Sequence, residues 1–325
     1  MDGFFYYRLP NNNAITGLQC EWVNASTLES SVDGVIVTSF KKDVIYNLTR
    51  PQNLELDFLT EFKIEELSSN IHISKAEYLD QVAECKAFCK IQNGKIVLSR
   101  VKKGALPKSS NLKIIYKAVC DAYPKAFVYV CNVPGEGLWI GASPEKLLEG
   151  KTPKLNIDAL AGSRNVHDRF EWTEKEFQEQ SMVASNISEK LEKLQLKFEK
   201  TELKTVTAGS IEHLFNSFTV FNCQDPLALA NELHPTPAVS GLPVDAALDA
   251  ISKIEKHNRN LYAGIVGVKN KGQMNLYVNL RCGQIFKDSI DLYVGGGITV
   301  DSDPLLEWKE TEFKSQTLLS VFEKM

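Results

Sequence analysis

The chain has 325 residues, of which 43% are hydrophobic and 24% charged, so it can bury a sizeable core as one large domain or two ordinary ones. Its formal net charge of -4 argues against a general nucleic-acid binder, because such domains usually carry a basic surplus. No apolar run reaches the length of a membrane span, no signal peptide is recognised, and the seven dispersed cysteines include no CxxC pair, which together favour a reducing cytoplasm.

The first part of the chain, residues 1–73, is the less conventional part and contains no chemical motif. FFYYRL (4–9) and GVIVTSF (34–40) have the composition of strands. The segment around 41–70 is rich in charge and amide side chains, which predicts a peripheral position.

A helix is predicted from Ser74, because Ser74 and Glu77 have the spacing of a capping box. Gly94 is expected to end this helix. Four residues at helical spacing give it one apolar stripe: Tyr78, Val82, Cys85 and Cys89. The two cysteines in this stripe favour a buried helix face over a metal site.

Strands and helices then alternate irregularly to the end of the chain. Strands are predicted at KIVLSR (95–100), FVYV (127–130), LWIGA (138–142), LNIDAL (155–160), YAGIVGV (262–268), MNLYVNLRCGQIF (274–286) and IDLYVGGGI (290–298). Helices are predicted at about 168–196, with an inner stripe of Val183, Ile187, Leu191 and Leu194, at 225–233, at 244–257, and after Asp303 and Pro304. Short turns between neighbouring strands, such as KNKGQ, favour antiparallel pairing. We therefore predict an α+β fold with large antiparallel sheets and helices packed outside, in one domain over 1–325.

Lys95 begins one of these strands. If Ile96 and Leu98 face the core, Lys95, Val97 and Ser99 face the opposite side. The spacing alone is equally typical of a solvated lysine at a strand start.

Two acids further along the chain are candidates for a site. Glu145 follows the turn-like GASP, although a surface carboxylate is common at such a position. Glu179 precedes Val183 and Ile187 by four and eight residues, on the inner edge of the long helix. A carboxylate that points inward needs a partner, which here is a lysine, a water network or a metal ion.

The final helix has acids and a lysine on one face. Glu307, Glu310 and Lys314 are three and four residues apart. This spacing is typical of an exposed ion-pair stripe. Two acids without a cysteine or histidine also suit a hard cation such as Mg²⁺.

Three further features have both a structural and a functional interpretation. Alternation in MNLYVNLRCGQIF puts Arg281 on a polar strand face, where it can grip a carboxylate or pair across strands. The glycines at 295–297 let backbone amides approach an anion, but a tight turn is the commoner role. His213 and His234 are structural by default, and His234 stands in the rigid loop LHPTPAVSGLP.

In combination and in order, these motifs resemble the chorismate-utilising enzymes, specifically the isochorismate synthases. The matching segments span about 95–314, some two-thirds of the chain. They are KIVLSR, GASPEKLL, LAGSR, EKEFQEQ, HL at 213–214, LHPTPAVSGLP, YAGIVGV and LYVGGGITVDSDPLLEWKETEFK. The resemblance implies a large antiparallel β-sandwich core, chorismate as substrate and Mg²⁺ as cofactor.

The resemblance also implies roles for individual residues. Lys95 falls at the general-base position and Glu145 at the general-acid position. Glu179 and Glu310 fall at the magnesium-ligand positions, with Glu307 acting through water. The residues that fall at substrate-binding positions are Arg281 and Lys314 for the carboxylates, the segments at Gly162, Ser163, Gly295 and Gly297, Ala238 and Val239 for the ring, and His213 for the side chain of the substrate.

The type of nucleophile distinguishes the branches of this family. Anthranilate and aminodeoxychorismate synthases usually have glutamine where this chain has Lys95, and aminodeoxychorismate synthases often have lysine at Ala161. Both residues therefore favour water over ammonia, and no glutaminase subunit is expected. The resemblance implies a cytoplasmic monomer or weak homodimer that supplies menaquinone or siderophore biosynthesis. A salicylate synthase and a non-catalytic homologue remain the alternatives.

Two departures from the family pattern bear on the site. Where the family often has EKDRxEH, this chain has EKEFQEQ, so that Phe177 replaces a basic residue and Gln180 a histidine. The region before Lys95 is also short for the family. Because Glu179 is retained, we expect activity with altered support around the magnesium ligands.

Overall fold

The computed structural model describes residues 3–24, 33–42, 45–64, 70–107, 111–166, 171–208 and 211–325. Its strands are β1 Gly3–Arg8, β2 Ile15–Asn24, β3 Gly34–Thr38, β4 Ile45–Asn53, β5 Lys95–Ala105, β6 Phe127–Val133, β7 Gly137–Ser143, β8 Lys146–Lys151, β9 Lys154–Asn165, β10 Lys197–Lys200, β11 Lys204–Ala208, β12 Ile211–Phe221, β13 Gly241–Leu242, β14 Ile265–Asn270, β15 Gln273–Val278, β16 Cys282–Ile285 and β17 Ser289–Ile298. Its helices are α1 Phe58–Glu61, α2 Lys75–Gln92, α3 Leu112–Ala122, α4 Glu174–Lys193, α5 Pro226–Leu233, α6 Val244–Ile254 and α7 Pro304–Phe322.

The strands pair antiparallel in one continuous run, which confirms the predicted α+β class. The run passes from β12 through β9, β8, β15, β14, β3, β4, β2, β1, β6, β7, β16 and β17 to β5 and β13, while β10 and β11 pair with β12. One core cluster contains Phe218 of β12 together with Tyr129 of β6, so the two halves of the run face each other as a sandwich. A second cluster lies under α3 and α7 and includes Tyr116 and Phe322.

The helices pack on the outside of this sandwich. α4 packs on β9 and β12, whereas α2, α6 and α7 pack around β5 and β17. The capping box at Ser74 and the cap at Asp303 are both present, and all four residues of the predicted α2 stripe are buried. Among the described residues, no helix is long and apolar enough to cross a membrane.

Several predicted boundaries and positions are wrong. The last residue of α2 is Gln92, and its C-cap residue is Asn93. Asn93, rather than Gly94, takes the left-handed conformation that ends the helix. Gly94 is needed for a different reason, because an added Cβ would lie 2.0 Å from the carbonyl oxygen of Leu242. α4 begins at Glu174, and Leu194 follows its end and is 38% exposed rather than part of the inner stripe. Residues 168–170 of the predicted helix lie outside the described ranges.

The segment predicted as peripheral contributes a strand to the sheet. β4 pairs with both β2 and β3, and Leu59 of α1 is fully buried. The charged and amide-rich composition of this segment did not predict a strand, because composition does not indicate pairing with distant strands. Residues 43–44 and 65–69 of the same segment lie outside the described part of the chain.

Candidate active site

A cavity of about 90 Å³ lies where β5, β9 and β17 meet α4, α7 and the loop before β13. Most of the predicted site residues line it: Glu145, Gly162, Glu179, His213, Ala238, Val239, Arg281, Gly295, Gly297, Glu310 and Lys314. Lys95 and Glu307 lie behind this lining and approach its residues Gly297 and Gly296. Ser163 follows Gly162 in β9, and its predicted substrate contact lies outside the described side chains.

Lys95 is held at the cavity wall by Glu179. The lysine side chain is fully buried, and its Nζ donates a hydrogen bond of 2.8 Å to Glu179 Oε1. An added Cβ on Gly297 would lie 2.6 Å from this carboxylate oxygen and 3.6 Å from Nζ, so glycine leaves space for the pair. The interpretation of Lys95 as a solvated lysine is therefore wrong. Of the partners considered for Glu179, the lysine is one that the structure provides.

Glu145 is buried in the short connection between β7 and β8, with 4% of its surface exposed. Burial, together with the charge of Asp158, raises the pKa of this carboxyl to about 8, against the lowering influence of Lys95. A carboxyl with this pKa carries its proton at neutral pH. The interpretation of Glu145 as an ordinary surface carboxylate is therefore wrong.

The acidic face of α7 turns inward. Glu307 is 2% exposed, which excludes an exposed ion-pair stripe. Lys314 Nζ lies 2.6 Å from Glu310 Oε1 and donates a hydrogen bond of 2.8 Å to the carbonyl oxygen of Gly295. An added Cβ on Gly296 would lie 3.4 Å from Glu307 Oε2 and 3.7 Å from Glu310 Oε1, so both acids lie close beside β17.

Arg281 lines the cavity from a break between two strands, which the alternating pattern does not predict. The predicted strand breaks between Val278 and Cys282, and Arg281 has φ of 51° in the left-handed region. β15 pairs with β8 and β14, whereas β16 pairs with β7 and β17, so the chain changes partners at this break. The predicted polar face is not wet either, because the other members of it are buried: Asn275, Tyr277 and Asn279.

The guanidinium of Arg281 is partly withdrawn from water and faces acidic groups. Desolvation lowers its pKa, while Tyr262, Glu310 and Glu145 counteract that effect. Arg281 and Lys314 thus bring positive charge into one cavity, where an anionic ligand would replace the solvent that both cations lose.

The glycines at 295–297 lie inside β17 rather than in a turn. Gly295 pairs with Ser99 and Gly297 with Val97, and neither glycine has a positive φ. The pairing of β17 with β16 ends at Tyr293, and the residues from Val294 onward line the cavity. The turn interpretation is therefore wrong, and the missing side chain of Gly297 permits the close approach of Glu179 from α4.

His213 is a neutral residue in the cavity wall. Its Nδ1 lies 2.8 Å from the carbonyl oxygen of Gly162, which can only accept, so Nδ1 carries the hydrogen and Nε2 is an acceptor. Burial, together with the charge of Arg281, lowers the pKa of His213 to about 3. Gly162 has φ of 65°, and an added Cβ would lie 3.1 Å from Cβ of Glu176.

The loop LHPTPAVSGLP contributes to two different parts of the molecule. Ala238 and Val239 line the cavity as predicted for the ring pocket. His234 is buried elsewhere, where its Nε2 lies 3.3 Å from the carbonyl oxygen of Phe40, and burial lowers its pKa to about 3. The structural interpretation of His234 agrees with this position.

Several lining residues were not predicted. Glu176 lies in the cavity wall but reads in the sequence as the third residue of a capping box with Thr173. Tyr262 belongs to the quoted motif YAGIVGV, and an added Cβ on Gly295 would lie 3.0 Å from its hydroxyl oxygen. Glu176 likewise belongs to the quoted motif EKEFQEQ, so these two motifs were the available signals for Tyr262 and Glu176.

The two departures from the family pattern have different structural positions. Gln180 is buried, and its Nε2 donates hydrogen bonds to Ala159 O at 2.9 Å and Asn216 Oδ1 at 3.1 Å. Gln180 thus ties α4 to β9 and β12 one residue after Glu179. Phe177 is 41% exposed on the same helix.

The donor set fits Mg²⁺ in its chemistry. Glu179 and Glu310 supply hard carboxylate oxygens, Gly297 leaves the space in which Glu179 approaches β17, and Glu310 lies beside Gly296. Within the described residues, no three histidine, cysteine or acidic side chains are grouped as a ready metal site. Mg²⁺ does not require such a group, because it is usually bound through one or two carboxylates and retains water or substrate oxygens.

The cavity and its wall combine a buried lysine–carboxylate pair, a proton-bearing glutamate and two cations, a set suited to binding a small anion. Residues 35–323 match the family described as chorismate binding enzyme. The chain belongs to this family, which confirms the resemblance.

Individual relatives agree with this assignment. The chain is 30% identical over 245 residues to isochorismate synthase EntC of Escherichia coli, covering 71% of this chain and 63% of EntC. It is 33% identical over 198 residues to isochorismate synthase MenF of Haemophilus influenzae, covering 57% of this chain and 46% of that protein. The matches thus span less than two thirds of these relatives. The solved structure of MenF, the menaquinone-specific isochorismate synthase from Escherichia coli, shares the fold with a TM-score of 0.80 at 21% identity, over 98% of this chain and 88% of that one.

Proposed function

We propose that this chain is a cytoplasmic, Mg²⁺-dependent isochorismate synthase, which converts chorismate to isochorismate. The observation that carries the proposal is the presence of a proton-bearing acid and a buried amine at one anion-binding cavity. Glu145 has a pKa of about 8, and Lys95 is buried at the wall against Glu179. An exchange of hydroxyl positions needs these two functions, since one water is activated while another leaves.

The proposed reaction adds water at C2 of the ring and releases the C4 hydroxyl. Lys95 acts as the neutral amine, whose Nζ accepts a proton from the attacking water, and Glu145 donates its proton to the departing hydroxyl, which leaves as water. The ring double bonds shift, so the product has the same composition as the substrate. Glu145 suits the acid role because its raised pKa keeps the proton available at neutral pH.

Substrate binding follows from the charges and the shape of the cavity. Arg281 and Lys314 would bind the two carboxylates of chorismate, and Ala238 and Val239 would pack against its ring. The neutral His213 presents Nε2 as an acceptor near the substrate side chain.

Mg²⁺ would be held by Glu179 and Glu310, with Glu307 acting through water. When bound, it would neutralise a substrate carboxylate and fix its orientation. The donor chemistry and the space beside the glycines of β17 support this assignment.

The test incubates the purified chain with chorismate, with and without Mg²⁺ and a chelator, and separates the products by chromatography with mass detection. We expect an isomer of chorismate that is formed only with Mg²⁺. No isomer would refute the proposal, and salicylate with pyruvate as main products would identify a salicylate synthase instead. A Lys95→Gln variant, assayed with ammonium, tests the nucleophile: retention of the full water-dependent rate would exclude Lys95 as the base.

The biological role is proposed at the level of the product. Isochorismate would supply menaquinone or siderophore biosynthesis, and the names of the relatives include both roles, as in MenF and the vibriobactin-specific isochorismate synthase of Vibrio cholerae.

A further inference from the structure

A buried arginine outside the cavity joins two of its walls. Arg259 lies in the segment after α6 and is 5% exposed. Its Nη1 donates to the carbonyl oxygen of Val239 and its Nη2 to that of Val97, both at 2.7 Å. Val97 and Val239 line the cavity, the first from β5 two residues after Lys95 and the second from the loop before β13.

The guanidinium is itself fixed by a carboxylate. Glu255 accepts hydrogen bonds from Arg259 Nε at 2.9 Å and from Nη2 at 2.7 Å. The same carboxylate accepts from the backbone nitrogen of Ser99 at 2.7 Å and from its hydroxyl at 2.8 Å, which ties it to β5. The ring of Phe40 covers the guanidinium, with the central carbon 4.2 Å from the ring centre.

We propose that Arg259, oriented by Glu255, is a positioning residue that sets the separation between the β5 wall and the ring-pocket wall of the active site. The identity of the ligand as chorismate rests on the proposed function, whereas the hydrogen-bond geometry of Arg259 does not depend on it. The two Nη atoms belong to one rigid plane, so the carbonyl oxygens that they bind are fixed relative to each other. A lysine has one nitrogen and cannot reproduce this fork.

Stability alone gives a weak reason for this arrangement. Burying two charges costs several kcal/mol per ion, and well-packed apolar residues often replace such pairs without loss of stability. β13 already pairs with β5 at Gly241 and Leu242, and Val97 N donates to Ser240 O at 3.0 Å, so backbone pairing joins the two walls up to Ser240. Arg259 extends the attachment beyond this pairing, to the carbonyl oxygens of Val97 and Val239, and so fixes the spacing of the two lining residues themselves.

The test compares Arg259→Lys with a matched control, Arg8→Lys. Arg8 is also buried, at 4% exposure, and donates to backbone carbonyls, including those of Leu9 and Pro124 at 2.9 Å. None of the hydrogen-bond partners described for Arg8 lines the cavity. Both substitutions retain the charge and remove a fork, so they share the structural cost and differ in their relation to the site.

Chorismate affinity is measured by calorimetry in a Lys95→Gln background, which removes the proposed base, and melting temperatures are recorded for every variant. We expect Arg259→Lys to weaken binding by about tenfold or more, and Arg8→Lys by less than about twofold, at similar losses of melting temperature. Equal affinities in the two variants would overturn the proposal.

A second variant covers the case in which Arg259→Lys does not fold. Glu255→Asp retains both charges but draws the carboxylate back from Arg259, and it should also weaken chorismate binding, by several-fold. Unchanged affinity in that variant would likewise overturn the proposal. Failure of the unmodified chain to form isochorismate would refute the proposed function alone, because the affinity comparison does not depend on turnover.

Discussion

Replacing Glu145 with glutamine should change how the stability of the protein depends on pH. The folded protein holds this carboxyl at a pKa of about 8, against an ordinary value of 4.5. Between these values the folded state binds a proton that the unfolded chain has released, so stability falls as pH rises through the window. The difference corresponds to at most about 5 kcal/mol, at about 1.4 kcal/mol for each pH unit.

Glu145→Gln removes this titration while it preserves the volume and one hydrogen-bond donor of the acid. The difference in unfolding free energy between the variant and the parent should therefore increasingly favour the variant from about pH 5 to about pH 9. Urea denaturation at several pH values measures both proteins, and Glu189→Gln, at an exposed position on α4, serves as the control. Parallel pH profiles for the Glu145 variant and its parent would refute the argument that burial keeps this carboxyl protonated.

Three further outcomes are expected from the site. Lys95→Ala should lower kcat by about 10²-fold or more while circular dichroism shows a folded protein, and a retained rate would exclude its role as base. Glu310→Gln should raise the Mg²⁺ concentration for half-maximal activity by about tenfold or more, and an unchanged Mg²⁺ titration would remove it from the metal site. Gly297→Ala should displace the Glu179 carboxylate, since the added Cβ would lie 2.6 Å from it, and lower activity with a small change in melting temperature. Gly104→Ala is its control, because the Cβ would meet apolar side chains of the second core cluster, at 2.5 Å from Leu319 Cδ2 and 3.1 Å from Ile290 Cγ2. Equal activity losses in both variants would contradict the argument.

The sequence predicts much of the fold because local signals and global pairing agree there. Ser74 with Glu77, and Asp303 with the following proline, cap their helices as their spacing indicates. In the hairpin between β14 and β15, Lys271 and Gly272 both have positive φ, as a two-residue turn requires. Such features depend on neighbouring residues alone, so a single chain displays them without any alignment.

Arg281 illustrates what local pattern does not contain. Alternation of polar and apolar residues assumes one uninterrupted strand, and a strand that changes partners loses that periodicity at the break. The resemblance implies a substrate-binding position for Arg281, and the structure places Arg281 in the cavity lining, whereas the alternation assigned it to the polar face of one continuous strand.

Lys95 likewise shows that local sequence does not identify a candidate base. As the first residue of a strand it is indistinguishable from a solvated lysine, and only the packing of α4 against β9 brings Glu179 to within 2.8 Å of its Nζ. That approach in turn requires Gly297 on a strand nearly two hundred residues further along the chain. A buried pair of this kind depends on three distant segments at once, so its proposed chemistry can be inferred from the residues only after the fold has placed them together.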